Sequence, residues 1–343
     1  MNIFKTIIIS MIFFAQLAFG QSTPFSQRPD VKLFIQNMVE NDHIPATELN
    51  TLLNQVVIQK KILELVSAPK EGKPWYVYRA NFLNTDRIEK GVVFWAAHEE
   101  TLSRAEKEYG VPASIIVAIL GVETDYGKHQ GHYRVLDALA TLAFEYPLRA
   151  PFFKKELETF LLLCHEHSVD PLSLRGSYAG AFGQPQFMPS SYRSFAVDFS
   201  GLGLKDIQNS TIDSIGSVAN YFQKHGWQRG APVAITARYQ GSHLHSLDSS
   251  AHHKLALVQL KPSLSAQDLE TYHIKPNRTL PANEKVALMR LETHNQPEYW
   301  LGFNNFYTIL QYNASANYAM AVYQLSQVLE KQHARQPPKK GYD

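Results

Sequence analysis

The chain has 343 residues, 45% of them hydrophobic and 19% charged, which excludes a disordered protein and supplies apolar material for a large core. Its 33 basic and 31 acidic residues leave a net charge of +2, without the basic surplus of a nucleic-acid protein. A single cysteine, Cys164, excludes an intramolecular disulfide and a cysteine metal site.

Residues 1–20 read as an export signal. Lys5 gives the positive start, Ile7 to Phe14 an apolar run broken by Ser10, and Ala18-Phe19-Gly20 a small-x-small cleavage site before Gln21. The run is shorter than the roughly 20 residues of a membrane span. No cysteine stands at the cleavage site to take a lipid, so a soluble exported chain is expected; an uncleaved anchor is the alternative. Apolar residues at helical spacing then predict helices over 26–40 and, after Pro45, through Leu49, Leu52, Leu53 and Val56. Further helices are predicted over 86–109, 112–123, 134–145 and 151–166. Residues 175–189, rich in Gly and Pro, predict a loop, and 211–225 another helix stopped by Gly226. From 232 to 300 the pattern changes to short alternating or β-branched stretches, such as Val233-Ala234-Ile235-Thr236, and a small β insert is expected. Helical spacing returns over 315–331, and the tail Gln336–Gly341 is expected to fray.

The sharpest chemical feature is a carboxylic acid at the end of an almost unbroken apolar helix, Ile115 to Val122 followed by Glu123. A helix that is apolar all round is buried, so Glu123 falls at the edge of the core. Burial disfavours the charged form and raises the pKa, which is what a general acid acting on a glycosidic oxygen requires. A solvated glutamate without a role is the competing reading. A two-carboxylate glycosidase needs a partner about 5–9.5 Å away. Asp125 points to another face if the helix continues, and Asp137 and Glu145 read as the polar face of the next helix. No second carboxylate has the context of Glu123, which opens a mechanism with one acid.

Residues Arg175 to Tyr192 form a loop of small residues interleaved with Ser177, Tyr178, Gln184, Gln186 and Tyr192. Such neutral donors and aromatic faces suit a sugar, although a tight structural connection is equally open. No Gly-Lys-Ser/Thr follows, so it is not a phosphate loop.

Together, Gly121-Val-Glu-Thr-Asp-Tyr-Gly127 and Arg175–Tyr192 resemble the lytic murein transglycosylase B family, glycoside hydrolase family 103. Three later blocks agree: Ile215–Phe222, Glu298–Tyr307, and Tyr312-Asn313 followed by Tyr318–Val322. The resemblance runs from about Trp75 to Leu325. It implies a mainly α (α+β) fold, with a lysozyme-like helical core, an additional helical domain and a small β-containing domain. Placed on this chain, that gives an N-terminal helical segment over 21–74 and a first part of the core over 75–227. The β domain then covers 228–300, the return to the core 301–333, and the tail 334–343. The resemblance implies cleavage of the β-1,4 bond between N-acetylmuramic acid and N-acetylglucosamine of peptidoglycan glycan strands, without water, leaving a 1,6-anhydro end. Glu123 matches the single acid/base. Ser177, Gln186, Tyr78, Tyr221, Tyr312 and Asn313 match cleft positions, and Arg149 a basic position for the peptide stem or lactyl carboxylate. A periplasmic, monomeric enzyme is implied, with a hydrolytic muramidase or a silent peptidoglycan-binding scaffold as rivals.

One departure concerns calcium. The family often carries an EF-hand-like loop after the glycine-rich segment. Here Asp198, Ser200 and Asp213 are the residues it would use, but Leu202 replaces an oxygen ligand and Asn209 stands where a glutamate is needed. No cofactor is required and the loop is expected to hold its shape without metal, with a bound calcium ion, to which Asp213 would still contribute, as the alternative. His243, His245, His252 and His253 lie in a Ser-rich stretch and read as a solvated loop rather than a zinc site.

Overall fold

The computed structural model describes residues 23–67, 73–241 and 260–335. The expected export signal, the four histidines between 243 and 253, and the tail from 336 lie outside the described residues. The chain divides into two compact units, one ending at Val56 and the other beginning at Val57.

In the first unit a 3-10 turn over Phe25–Gln27 leads into α1 (Pro29–Asp42) and α2 (Ala46–Leu53). Pro29 opens α1, where its missing N–H has no intrahelical partner to lose. Val31, Phe34, Ile35 and Met38 form the buried stripe of α1, and Leu49 and Leu53 that of α2. The Ser26 N–H donates to Asn54 Oδ1 at 3.0 Å and closes the unit.

The second unit runs α3 (Lys60–Ser67), α4 (Trp75–Ala80), α5 (Thr85–Ala97), α6 (Glu99–Tyr109) and α7 (Ala113–Thr124). A two-residue strand β1 (Tyr133–Arg134) precedes α8 (Val135–Glu145) and α9 (Ala150–Glu166). Strand β2 (Arg175–Gly176), α10 (Pro189–Phe195) and α11 (Thr211–Lys224) follow. The axis of this unit is α7, buried at every residue except Val122 and Glu123, with helices α5, α6 and α11 packed around it. The segment predicted as one helix over 86–109 breaks at His98, where φ is −120° and ψ 23°. The break lets two apolar faces, Phe94 with Trp95 and Leu102 with Ala105, be buried in turn, where a straight helix would present only one stripe.

The second unit also takes in the end of the expected 21–74 segment. The Val57 N–H donates to Asp137 Oδ1 at 3.1 Å and the Gln59 N–H to Thr141 Oγ1 at 3.0 Å, which ties the chain entering α3 to α8. Asp137 is therefore not a solvated polar face. It is buried, and it also receives Arg134 at 2.8 Å.

Between α11 and the final helices lies an antiparallel sheet of β3 (Ala234–Tyr239), β4 (Ile274–Pro276), β5 (Ala287–Leu291) and β6 (Glu298–Gly302), in the order β4-β3-β6-β5. Its Ile235, Tyr299 and Leu301 share a small core with Leu269, from a helix, α12 (Ala266–Thr271), that the alternating pattern did not reveal. A reciprocal cap between Ser265 and Asp268 makes that short helix viable. The chain closes with α13 (Asn304–Tyr312) and α14 (Ala316–His333), and α14 packs directly on α7. No helix among the described residues is long and apolar enough to cross a membrane.

Candidate active site

Glu123 emerges at the C-terminal end of α7, and the turn behind it is unusual. Asp125 and Tyr126 both take left-handed backbone, at φ 52° and 63°. Such conformations persist where surroundings over-determine them. The Thr124 hydroxyl donates to the Gln184 carbonyl at 2.8 Å and accepts the Gly127 N–H at 2.9 Å, which joins the turn to the glycine-rich loop. Tyr126 folds back over α7 at Gly121, where a Cβ would stand 2.7 Å from its ring, and its hydroxyl donates to the Arg87 carbonyl at 2.8 Å. Asp125 is claimed by α5. Lys90 Nζ lies 2.8 Å from Oδ2 and Arg87 3.7 Å from Oδ1, while Arg87 also donates to the Gly121 carbonyl. Burial opposes its charge, but the Lys90 hydrogen bond and the Arg87 guanidinium outweigh burial and hold the Asp125 carboxyl below its usual value. Asp125 is thus a clamp for the end of α7.

Among the described residues Glu123 has one polar partner, the Tyr318 hydroxyl, which donates to its Oε1 at 2.5 Å. Burial pushes the Glu123 carboxyl up to about 7, and the tyrosine hydrogen bond works in the opposite direction. The charge of Glu123 is felt in turn by Tyr78, whose hydroxyl is driven to about 12 by burial first and by that charge second. Tyr312 is raised by the same two causes. Its ring lies parallel to that of Tyr318 at 6.5 Å, and its hydroxyl donates to the Pro185 carbonyl at 2.5 Å. Tyr221 sits behind it at 4.7 Å, buried, with its hydroxyl donating to the Gln311 carbonyl at 2.7 Å. Of the four cleft positions expected here, Tyr78 and Tyr312 gather about Glu123, Tyr221 backs Tyr312, and Asn313 ends α13 with an exposed side chain.

The glycine-rich loop brings Ser177 and Gln186 to one connected structure. The Ser177 N–H donates to the Ala181 carbonyl at 2.8 Å and its hydroxyl accepts the Ala181 N–H at 3.1 Å. Gln186, at φ 52°, spends its amide donor on the carbonyls of Gln130 (3.0 Å) and Gly183 (2.9 Å). Arg149 is not among these contacts; exposed at the start of α9, it lies over the rings of Phe152 and Phe153.

The loop compared with a calcium site is held by its own backbone. Asp198 accepts the N–H groups of Gly201 (2.8 Å), Leu202 (3.0 Å) and Gly203 (2.7 Å) and the Ser200 hydroxyl (3.2 Å). Asp213 accepts the N–H of Ser200 at 2.7 Å and that of Asp206 at 3.1 Å. Leu202, at the missing ligand position, is 81% exposed.

The family described as Transglycosylase SLT domain matches residues 26–327. The membrane-bound lytic murein transglycosylase B of Escherichia coli (strain K12) is 42% identical over 315 residues, 89% of this chain and 84% of that protein. The chain belongs to the SLT-domain lytic transglycosylase family. Its fold agrees with solved members. The catenated lytic transglycosylase SltB1 from Pseudomonas aeruginosa superposes with a TM-score of 0.83 at 46% identity, covering 89% of this chain and 98% of that one. The Escherichia coli lytic transglycosylase Slt35 in complex with calcium superposes at 0.82 with 41% identity, covering 91% and 96%. In this lytic transglycosylase the sequence does not single out Tyr318, nor the Arg87–Asp125–Lys90 cluster. Tyr318 stands 195 positions from Glu123 and opens an apolar helix in which an aromatic is ordinary core material. Because its hydroxyl stabilises the charged carboxylate, Tyr318→Phe is expected to raise the Glu123 pKa and move the alkaline limb of the kcat/KM profile to higher pH. A profile unchanged by the substitution would remove Tyr318 from that role.

Proposed function

We propose that this lytic transglycosylase cleaves the β-1,4 bond between N-acetylmuramic acid and N-acetylglucosamine in peptidoglycan, with Glu123 as its single acid/base. The supporting observation is a carboxyl titrating near 7 whose only polar partner among the described residues is a tyrosine hydroxyl. The nearest carboxylate in sequence, Asp125, is occupied by Lys90 and Arg87. Glu123 in its neutral form protonates the glycosidic oxygen as the C1–O bond breaks, with Tyr318 holding its other oxygen in place. The muramyl N-acetyl group stabilises the electron-poor C1. The Glu123 carboxylate then takes the proton of the muramyl C6 hydroxyl, whose oxygen closes on C1 to give the 1,6-anhydro end and a neutral glutamic acid ready for the next cycle.

In this reading Ser177, Asn313 and Tyr78 contact the glycan with their polar groups and Tyr312 with its ring, while Tyr221 and Gln186 hold the cleft wall; the hydroxyls of Tyr312 and Tyr221 and the amide of Gln186 already serve backbone carbonyls. Arg149 is exposed for an acidic group of the substrate. The chain works as a soluble periplasmic monomer, exported by its first twenty residues. It works without calcium: the Asp198 and Asp213 carboxylates are turned to amide hydrogens, Leu202 supplies no side-chain oxygen, and a hard cation needs six to eight oxygens.

Digestion of purified sacculi followed by product masses tests the reading. Anhydromuramyl ends are expected, at a rate indifferent to a calcium chelator. Reducing muramyl ends would make the enzyme a muramidase, and a chelator-sensitive rate would restore calcium to the loop.

A further inference from the structure

The turn that presents Glu123 is a helix end that its own residues do not favour. The Asp125 N–H donates to the Gly121 carbonyl at 3.2 Å and the Tyr126 N–H to the Leu120 carbonyl at 3.0 Å, the pair of bonds that closes a helix over a left-handed residue. That position usually takes glycine. Here it is Asp125, and a second left-handed residue, Tyr126, follows it. Such a turn needs support from outside α7, and one residue of α5 gives it at three points. The Arg87 guanidinium donates to the Gly121 carbonyl and lies 3.7 Å from Asp125 Oδ1, while the Arg87 carbonyl accepts the Tyr126 hydroxyl at 2.8 Å. A cation at the C-terminus of a helix also meets the negative end of its dipole. The fit is close: a Cβ at Gly91, one turn further along α5, would collide with the Tyr126 hydroxyl.

Arg87 is itself fixed in place. It is the third residue of α5, and Asn84 Oδ1 accepts its N–H at 3.0 Å. Its guanidinium lies over the Phe82 ring at 5.4 Å, and that ring stands 5.2 Å from the ring of Tyr78. Arg87 therefore reaches both sides of the site: the turn behind Glu123 and, through Phe82, a tyrosine that faces it. Tyr78 from α4, Tyr312 from α13 and Tyr318 from α14 stand around Glu123. Burial and the Tyr318 hydrogen bond set the Glu123 carboxyl, and the charge of Arg87 is not among its influences. What Arg87 contributes is geometry.

We propose that Arg87 is a positioning residue for the transglycosylation: it holds the last turn of α7 so that Glu123 meets both the Tyr318 hydroxyl and the glycosidic oxygen, and it does not touch substrate itself. This rests on the acid/base reading of Glu123 above. A displaced general acid loses rate rather than binding, because the reacting atoms must approach to about 3 Å. Lysine is a poor substitute, since one ammonium cannot serve a carbonyl and a carboxylate with the fixed fork of a guanidinium.

The test measures kcat, KM and the pH dependence of kcat/KM for anhydro-end formation in Arg87→Met and Arg87→Lys, each assayed well below its melting temperature. Arg87→Met is expected to lose roughly thirtyfold in kcat, with KM within about twofold of wild type, and Arg87→Lys roughly tenfold in kcat. A loosened turn weakens the Tyr318 bond to the carboxylate. Both variants are therefore expected to move the alkaline limb to higher pH, and to leave it unmoved when made in a Tyr318→Phe background. Wild-type kcat in Arg87→Lys, a loss carried by KM, or a limb that moves equally with and without the Tyr318 hydroxyl overturns the proposal. If Arg87→Met does not fold, Arg87→Lys decides the matter alone. Failure of the acid/base reading is distinct, because Glu123→Gln would then keep its activity.

Discussion

Replacing Glu123 by glutamine is expected to lower anhydro-end formation by about three orders of magnitude while leaving the fold intact. Glutamine matches neutral glutamic acid in shape and still accepts the Tyr318 hydroxyl, but it has no proton to give to the glycosidic oxygen and cannot take one from the C6 hydroxyl. Residual activity above about a tenth of wild type would remove Glu123 from the acid/base role. The same exchange carries a signature in stability. The carboxyl titrates at about 7 in the fold against an ordinary 4.5. A folded-state pKa above the unfolded one means that the favourable protonated form is fully retained below 4.5 and is lost as pH rises through about 7. Above that, the wild type holds a desolvated charge that glutamine lacks. Glu123→Gln is therefore expected to melt above wild type at about pH 8 and together with it at about pH 4. Coincident melting at both pH values would mean that burial does not raise this carboxyl.

Gly131→Ala is expected to destabilise the protein by about 3 kcal/mol, with activity falling further than the loss of folded protein explains. Gly131 sits at φ 96°, and a Cβ there would stand 2.0 Å from the Gly176 carbonyl oxygen and 2.1 Å from its carbon. Both atoms belong to backbone, so no side-chain rotation relieves the clash. Relief requires the strap before β1 to part from β2, which moves Arg175 and Ser177 together and pulls the Gln130 carbonyl away from Gln186. A melting scan is expected to show a fall of roughly 4–5 °C. The remaining folded enzyme, assayed well below that transition, is expected to have a reduced kcat. Wild-type stability and turnover in Gly131→Ala would mean that the ribbon does not support the cleft.

Much of the helical architecture is legible because apolar spacing is a local property. The uniformly apolar α7 and the helices α8, α9 and α11 fall where the pattern places them, within a residue or two, whereas α1 starts and ends later and α2 ends at Leu53, short of the expected Val56. The elements that escape are short or broken. α3, α4, α10, α12 and α13 have six to nine residues each, too few for a period to declare itself. The break at His98 answers to packing against α7 rather than to a glycine or proline. In the loop after β2 the loss of a metal ligand at Leu202 is visible in the sequence, whereas the amide hydrogens that satisfy Asp198 appear only once the chain is folded.

The site divides along the same line. By itself the sequence determined that a carboxyl stands at the end of a buried helix, because eight consecutive apolar or small residues, Ile115 to Val122, leave that helix nowhere to go but the core. It also determined that a loop of small residues follows, since such composition resists helix and strand. Tertiary structure alone decided that Tyr318 donates to Glu123, that Asp125 belongs to Lys90 and Arg87 rather than to catalysis, and that the hydroxyls of Tyr221 and Tyr312 face carbonyls. The physical reason is that burial follows from composition within a few turns, whereas a hydrogen bond depends on two groups meeting within about 3 Å, and chain distance carries no information about such a meeting.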